Sequence, residues 1–214
     1  MLPRLAFAPR RILLLGAHPD DVEIGCGGAV LKLIEEHPSV EVRYVAFSAS
    51  KDREAEARAA CAALTAGAAK VSIDVHGFRD SFFPWGEPER IKEVLSAVRK
   101  DFDPDVVFTH RRSDLHQDHE LISQLTWTQF RDHMIFEYEI AKFEGDFGTP
   151  NVFVPLTEKQ AKRKVEIILE SYKSQHNRSW FRASTFEAVL RLRGVECNAP
   201  EGFAEAFHCR KVVV

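Results

Sequence analysis

The sequence lacks the features that mark membrane-spanning or nucleic-acid-binding chains. None of its apolar runs approaches the ~20 residues that a transmembrane helix needs. Its formal net charge of −3 provides no electrostatic attraction toward nucleic acid or an anionic membrane surface. We therefore expect a chain with no membrane span and no nucleic-acid partner.

Cysteine is scarce, and no two cysteines are spaced as a CxxC pair. The four are Cys26, Cys61, Cys197 and Cys209. This spacing argues against a closed structural zinc site, and we expect all four thiols to be reduced and structural. Residues 1–10 also lack the ordered basic, apolar and cleavage regions of a signal peptide, which predicts a cytoplasmic location.

The composition is that of an ordinary globular chain. Hydrophobic residues make up 45% and charged residues 29% of the 214 positions, which is enough for one domain with its own core. We predict a single domain over residues 1–214. In its first half, strand-like runs at 12–15, 40–47, 71–75 and 104–109 alternate with helical patterns at 23–36, 53–66 and 89–102. This alternation predicts an α/β fold with a mostly parallel sheet.

The C-terminal third is less regular. Short strands are predicted at 135–140 and 152–155, with a loop or lid over 143–150 between them. Helices are predicted at 120–133, at 158–172 with Thr157 as a cap, and at 184–193, where Gly194 would end the helix. Residues 195–207 read as irregular, and a final strand is predicted over 207–214.

Polar residues crowd the end of the first strand. The apolar run Ile12–Leu15 indicates a strand buried on both faces, and Gly16 ends it. His18, Asp20 and Asp21 follow at once. Ligands of open α/β sheets bind beyond the carboxyl ends of the strands, so these side chains are candidates for a site. The alternative is a polar turn in which one aspartate caps the next helix.

A second polar cluster, residues 110–119, follows the strand predicted at 104–109. It contains His116, Asp118 and His119. Two His/Asp clusters at the ends of two strands of one sheet would face the same crevice, which favours a site over two unrelated turns. Gly25-x-Gly27-Gly28 resembles a nucleotide-binding turn only weakly, because its spacing is not GxGxxG. A nucleotide-binding module without a metal remains the alternative if the protein is not a hydrolase.

His18, Asp21 and His119 together form a set of two nitrogen ligands and one oxygen ligand. Open catalytic zinc sites use three protein ligands and leave the fourth position to water. We therefore predict a Zn²⁺ site, with another divalent ion such as Fe²⁺ as an alternative. Asp20 can then act as the general base toward the water.

Two residues of the second cluster are left for other roles. His116 lies three residues before His119 and, as an imidazolium, could stabilise an oxyanion or protonate a leaving amine. Asp118 could fix the orientation of one of the histidines.

The two clusters carry a resemblance to a known family. AHPDD at 17–21, VEIGCGG at 22–28 and HQDH at 116–119 resemble the PIG-L/LmbE family of zinc-dependent deacetylases. The resemblance implies a Rossmann-like fold with helices on both faces of the sheet, and hydrolysis of an N-acetyl group from an amino sugar. It also implies the zinc ligands His18, Asp21 and His119, the general base Asp20, and the acid or oxyanion donor His116.

The resemblance extends to two candidate substrate-binding residues. Arg53 opens a segment, REAE, that is similar to the family's Arg-x-x-Glu, although it could simply pair with Glu56. Asp80 stands where family members carry an aspartate that can bind sugar hydroxyls. The loop 48–52 is short and lacks the family's usual Thr-x-Gly, and Gln117 replaces a common proline.

The function expected from the sequence is therefore a zinc-dependent deacetylase of an N-acetylglucosamine-type amino sugar or its conjugate. A metal-dependent amidase acting on a non-sugar acetamide is the alternative within the same class. The expected partner is a small-molecule amino sugar, and the sequence leaves a homo-oligomer open.

Overall fold

A computed structural model describes residues 7–213. Its strands are β1 (Arg11–Gly16), β2 (Glu41–Ala46), β3 (Lys70–Val75), β4 (Val106–His110), β5 (Met134–Tyr138), β6 (Val152–Leu156) and β7 (Phe203–His208). Its α-helices are α1 (Asp21–Glu36), α2 (Lys51–Leu64), α3 (Pro88–Asp101), α4 (Gln117–Gln129), α5 (Glu158–Ser171) and α6 (Ala183–Glu196). A single 3₁₀ turn covers Lys173–Gln175.

The strands form one mixed sheet in the order β3-β2-β1-β4-β5-β7-β6. The first five pair in parallel, and β7 runs antiparallel to both β5 and β6. The predicted α/β fold with a mostly parallel sheet is confirmed. Because β1 has β2 on one side and β4 on the other, the strand order reverses between β1 and β4. That is the switch point at which open α/β sheets bind ligands.

The apolar run in β1 is buried on both faces because helices cover both. Ile12 and Leu14 pack into one core cluster, with residues of α1, α2 and α5. Leu13 and Leu15 point the other way, into a cluster with residues of α3 and α4. All four side chains are fully buried. The central strand is thereby fixed, and so is the loop that leaves its carboxyl end.

Two predictions about the C-terminal region are wrong. Gly194 does not end its helix, since α6 continues to Glu196. A Cβ atom on Gly194 would lie 2.3 Å from the carbonyl oxygen of Gly202, so this glycine permits a close backbone contact instead. The last strand begins at Phe203, inside the segment predicted to be irregular, and ends at His208. Val214, the end of the predicted strand, lies outside the described residues.

Within residues 7–213, no helix combines the length and apolar character needed to cross a bilayer. The reading of residues 1–10 as lacking a signal peptide falls mostly on residues 1–6, which lie outside the described part of the chain.

Candidate active site

The two polar clusters meet at the switch point of the sheet. The β1–α1 loop and the first turn of α1 supply His18, Asp20 and Asp21, while the segment after β4 supplies His116 and His119. Helix α4 begins at Gln117, so its amino-terminal end carries the second cluster into the crevice. The structure thus brings together the side chains that the sequence assigned to one site.

The three candidate metal ligands lie in contact with one another. His18 Nδ1 lies 3.1 Å from His119 Nε2. Asp21 completes the triangle, with Oδ2 3.4 Å from His18 Nδ1 and Oδ1 3.5 Å from His119 Nε2. Ligands held tetrahedrally at zinc–ligand distances of 2.0–2.1 Å lie roughly 3.3 Å apart. The 3.1 Å between the two imidazole nitrogens is close to that spacing, and the Asp21 carboxylate turns a different oxygen toward each of them. The same residues also fall into two overlapping groups that could hold a cation, His18 with His116 and His119, and Asp21 with His110 and His119.

Each of the two imidazoles has a carboxylate at its other nitrogen. His119 Nδ1 lies 3.1 Å from Asp114 Oδ2. His18 Nε2 lies 3.3 Å from Asp118 Oδ2 and 3.1 Å from Asp80 Oδ1. A histidine that donates an N–H to such a carboxylate presents a lone pair on its remaining nitrogen, which is the usual support of a metal-ligating histidine.

The protonation of the two imidazoles that follows from these carboxylate contacts also leaves room for a cation between them. If His119 Nδ1 and His18 Nε2 donate to their carboxylates, two lone pairs face each other across 3.1 Å. Such a contact requires a proton or a metal ion between the two nitrogens. Burial lowers the pKa of His18, but Asp21, Asp118 and Asp80 outweigh it and raise that pKa well above its usual value. Burial and the charge of His110 instead lower the pKa of His119 to about 3, so a positive charge is favoured on the His18 side of this contact only.

Asp21 is held in its ionised form. Burial raises its pKa, but His119, His110 and His18 outweigh that effect and bring the pKa well below its usual range. Its Oδ2 also accepts a hydrogen bond from the backbone N–H of His18 at 2.6 Å. A buried, ionised carboxylate beside two imidazoles is a suitable metal ligand.

Asp20 stands at the N-cap position of α1 but does not cap the helix with its side chain. Its Oδ1 instead pairs with the Arg53 guanidinium at 2.9 Å. Burial raises the pKa of Asp20 and outweighs the opposing effect of Arg53. The sequence predicts that Arg53 contacts substrate. In the structure its guanidinium forms an ion pair with Asp20, the candidate general base.

His116 is the N-cap of α4. Its Nδ1 accepts a hydrogen bond from the backbone N–H of Asp118 at 3.2 Å, so its proton resides on Nε2. Its ring lies 4.9 Å from that of His18 and 4.5 Å from that of His119, centre to centre. Burial and the charge of His18 lower the pKa of His116, although Asp118 opposes them. The imidazolium form of His116 is therefore disfavoured, because the raising effect of Asp118 is smaller than the lowering effects of burial and His18.

Asp118 is fully buried and supports His18, not His119. Its carboxylate also accepts the backbone N–H groups of Ser81 at 2.6 Å and Phe83 at 3.0 Å. These bonds tie the loop after β3 to the site. The same loop carries Asp80, whose side chain is 63% exposed. A hydrogen bond from His18 lowers the pKa of Asp80 to about 2. Asp80 is thus an ionised, accessible acceptor at the rim.

Three residues to which the sequence assigns no role also bear on the site. Asp114 supports His119, and His110 stacks on His119 with ring centres 3.9 Å apart. His110 is fully buried, and its Nε2 accepts the backbone N–H of Ala17 at 2.9 Å. Glu23, in the first turn of α1, is fully buried, and burial raises its pKa to about 8. His110 and Asp114 lie within the second polar cluster at 110–119, which is a usable signal in the sequence, whereas Glu23 has none.

The segment predicted as a loop or lid is attached to the site. Lys142 Nζ lies 3.0 Å from Asp114 Oδ2 and 2.5 Å from Asp146 Oδ1. Asp146 Oδ2 in turn accepts the backbone N–H of Leu115 at 2.8 Å. Lys142 thus links this loop to the carboxylate that supports His119.

The glycines after the first motif do not form a phosphate-binding loop. Gly25, Gly27 and Gly28 all lie inside α1 and are buried. A Cβ atom on Gly25 would overlap the ring of Tyr138, at 2.2 Å, so this glycine lets α1 pack closely on β5. The nucleotide-binding alternative loses its sequence support.

Comparisons with known proteins identify the family of the chain. A family profile described as GlcNAc-PI de-N-acetylase (PIG-L) matches residues 13–130, which is more than half of the chain. No curated protein matches the sequence.

Several solved structures share the fold. The conserved protein TT1542 from Thermus thermophilus is 22% identical with a TM-score of 0.75, covering 95% of this chain and 96% of that one. The N,N'-diacetylchitobiose deacetylase from Pyrococcus horikoshii is 20% identical with a TM-score of 0.72, covering 94% and 84%. GalB, the 4-carboxy-2-hydroxymuconate hydratase from Pseudomonas putida, is 17% identical with a TM-score of 0.76, covering 96% and 98%.

At these identities the structural likeness establishes the fold, which deacetylases share with a hydratase. The class of reaction rests on the family match, which spans both polar clusters of the site. The chain belongs to the PIG-L (GlcNAc-PI de-N-acetylase) family, whose members are N-deacetylases and thus hydrolases of amide bonds.

Proposed function

We propose that the protein is a zinc-dependent hydrolase that removes the acetyl group from an N-acetylglucosamine-type amino sugar or its conjugate. One observation carries the metal assignment: His18 Nδ1 and His119 Nε2 face each other at 3.1 Å beside the Asp21 carboxylate. These three residues would hold the ion, and Fe²⁺ is the alternative to Zn²⁺. When bound, such an ion polarises an amide oxygen and lowers the pKa of a coordinated water.

Asp20 is the proposed general base. It would take the proton of the attacking water, while Arg53 holds its carboxylate through the 2.9 Å ion pair. The raised pKa of Asp20 suits a group that must also give the proton back. We assign to Asp20 the delivery of that proton to the leaving amine.

His116 is the proposed donor to the developing oxyanion. Because its Nδ1 accepts the N–H of Asp118, its Nε2–H is available to donate. A positioned donor of this kind stabilises the negative charge that forms on the former amide oxygen. Its lowered pKa suits a neutral hydrogen-bond donor better than an acid that gives up a full proton.

Two observations support an amino-sugar substrate. The exposed, ionised carboxylate of Asp80 lies 3.1 Å from the His18 ring, where it could accept hydrogen bonds from sugar hydroxyls. The similar protein from Pyrococcus horikoshii is named a deacetylase of N,N'-diacetylchitobiose, which is an acetylated amino sugar. A contact from Arg53 to substrate and a cytoplasmic location remain predictions.

The test is acetate release from a panel of N-acetylhexosamines and their conjugates, measured beside metal content. We expect about one divalent ion per chain and activity that chelation removes. A non-sugar acetamide serves as the control substrate. Full activity in a chelated, metal-free sample would overturn the metal assignment. A preference for the non-sugar acetamide would instead support the amidase alternative.

A further inference from the structure

Two buried tyrosine hydroxyls contact the same carbonyl group of the β1–α1 loop. The hydroxyl of Tyr44 donates to the carbonyl oxygen of Pro19 at 2.9 Å, and the hydroxyl of Tyr172 donates to the same oxygen. Both tyrosines are fully buried. This carbonyl belongs to the peptide between Pro19 and Asp20, so the two hydrogen bonds hold the backbone of the proposed base in place.

The same hydroxyls close a small polar cluster behind the loop. Tyr172 Oη lies 2.8 Å and Tyr44 Oη lies 3.3 Å from Glu23 Oε2. Hydrogen bonds buried away from water are costly to leave unmade, so the cluster holds its members in one arrangement. Pro19, whose ring already restricts its own φ angle, has little freedom left.

Tyr172 also contacts the cation that holds the base. The Arg53 guanidinium lies 6.0 Å from the centre of the Tyr172 ring, and the same guanidinium pairs with Asp20 Oδ1. Tyr172 therefore acts on Asp20 from two directions: through the preceding peptide and through its charged partner. Tyr44 has only the first of these contacts.

The segment that carries Tyr172 is itself anchored to the helix of Arg53. Tyr172 is the C-cap of α5, and its backbone N–H donates to Ile168 at 3.1 Å. Two residues later, the backbone N–H and hydroxyl of Ser174 donate to Glu56, at 2.8 and 2.6 Å. Glu56 and Arg53 both lie on α2. Hydrogen bonds therefore connect the segment of Tyr172 to the helix that carries Arg53.

We propose that Tyr172 is a positioning residue for Asp20, contributed by the part of the chain beyond the family match at 13–130. Its hydroxyl fixes the Pro19 carbonyl, and its ring supports the guanidinium that orients the Asp20 carboxylate. The proposal rests on the proposed role of Asp20 as the general base. It assigns Tyr172 no contact with substrate or metal.

The test begins with Tyr172→Phe, which removes the hydroxyl and keeps the ring. We expect kcat to fall ~10–100-fold with little change in KM, because small displacements of a catalytic group are that costly. Zinc affinity, measured by chelator competition, should stay at the wild-type value. Thr65→Val is the matched control, since it also deletes a buried hydroxyl that donates at 2.7 Å, to Cys61, away from the site. It should lower Tm without lowering kcat.

A double-mutant cycle separates positioning from general destabilisation. In the Asp20→Asn background, Tyr172→Phe should have almost no further effect on kcat, since the group that it positions no longer acts. An additive loss in the double variant, or a loss matched by Thr65→Val, would overturn the positioning role. If Asp20→Asn alone leaves kcat unchanged, the proposed base is wrong, which is a separate result.

Discussion

Asp114 Oδ2 lies 3.1 Å from Nδ1 of His119 and 3.0 Å from the ammonium of Lys142. Its other oxygen accepts the backbone N–H of His116 at 2.8 Å. One buried carboxylate thus supports a proposed metal ligand, fixes the residue proposed as oxyanion donor, and holds the loop that carries Lys142. The sequence suggests that Asp118 orients one of the histidines; in the structure Asp118 contacts His18, and Asp114 is the carboxylate that contacts His119.

Asp114→Asn should weaken zinc affinity ~10–100-fold, as loss of a carboxylate behind a ligating histidine commonly does. The uncharged amide holds the N–H of His119 less firmly, so the ring is less well oriented. Chelator competition measures the affinity directly, without reference to turnover. Asp132→Asn, at an exposed position on the surface, is the control. Equal affinities for Asp114→Asn and the wild type would mean that His119 needs no carboxylate support.

Asp20→Asn and Asp21→Asn should have different consequences, although the two residues are adjacent. Asp21 lies within 3.5 Å of both candidate histidine ligands, whereas Asp20 pairs with Arg53. We expect Asp20→Asn to keep zinc and lose ~10²-fold or more in kcat, as loss of a general base does. Asp21→Asn should lose the metal. The measurement is the metal content of both purified variants. If Asp20→Asn loses the metal and Asp21→Asn keeps it, Asp20 is the ligand and Asp21 is the base.

The sequence predicts the location of the site better than it predicts the partners within it. The sequence predicts that His18 and His119 lie at the crevice, because ligand-binding residues of a parallel sheet follow the carboxyl ends of its strands. Asp114 and Tyr172 could not be assigned. Their roles depend on contacts with His119 and Pro19 that form only when separate elements pack, and no local pattern announces such contacts.

The same limit applies to the ends of helices and strands. Local chemistry alone predicts Thr157 as a cap, and Thr157 forms a capping box with Gln160. Gly194 looked like a helix end, but its role is to let the backbone at Gly202 approach. A glycine that permits tertiary contact has the same sequence signature as a glycine that ends a helix.

We expect that His116 causes no loss of activity at alkaline pH. A mechanism that needs the imidazolium would lose activity above about pH 6.5, the usual histidine pKa, and sooner if that pKa is lowered. As a neutral Nε2–H donor, His116 should act throughout the range from about pH 7 to 9. The measurement is kcat/KM as a function of pH, with zinc occupancy checked at each point. If kcat/KM falls at alkaline pH in the wild type and not in His116→Asn, His116 acts as an imidazolium after all.

Glu23→Gln should make stability less dependent on pH. The pKa of Glu23 is about 8 in the folded protein, because of burial, against an ordinary value of 4.5. Between these values the folded chain holds a proton that the unfolded chain has released. The wild type therefore loses stability as the pH rises from about 4.5, by an amount on the order of a few kcal/mol, and the loss levels off above about 8.

Glutamine resembles the protonated carboxyl group and lacks this titration, so the variant should match the wild type near pH 5 and exceed it near pH 9 in free energy of unfolding. Denaturant unfolding across that range measures the difference. Glu187→Gln, at an exposed position, is the control and should show a constant difference from the wild type. If Glu23→Gln also differs from the wild type by a constant amount, Glu23 is ionised in the folded protein, and the two tyrosine hydroxyls must donate to it instead of to Pro19.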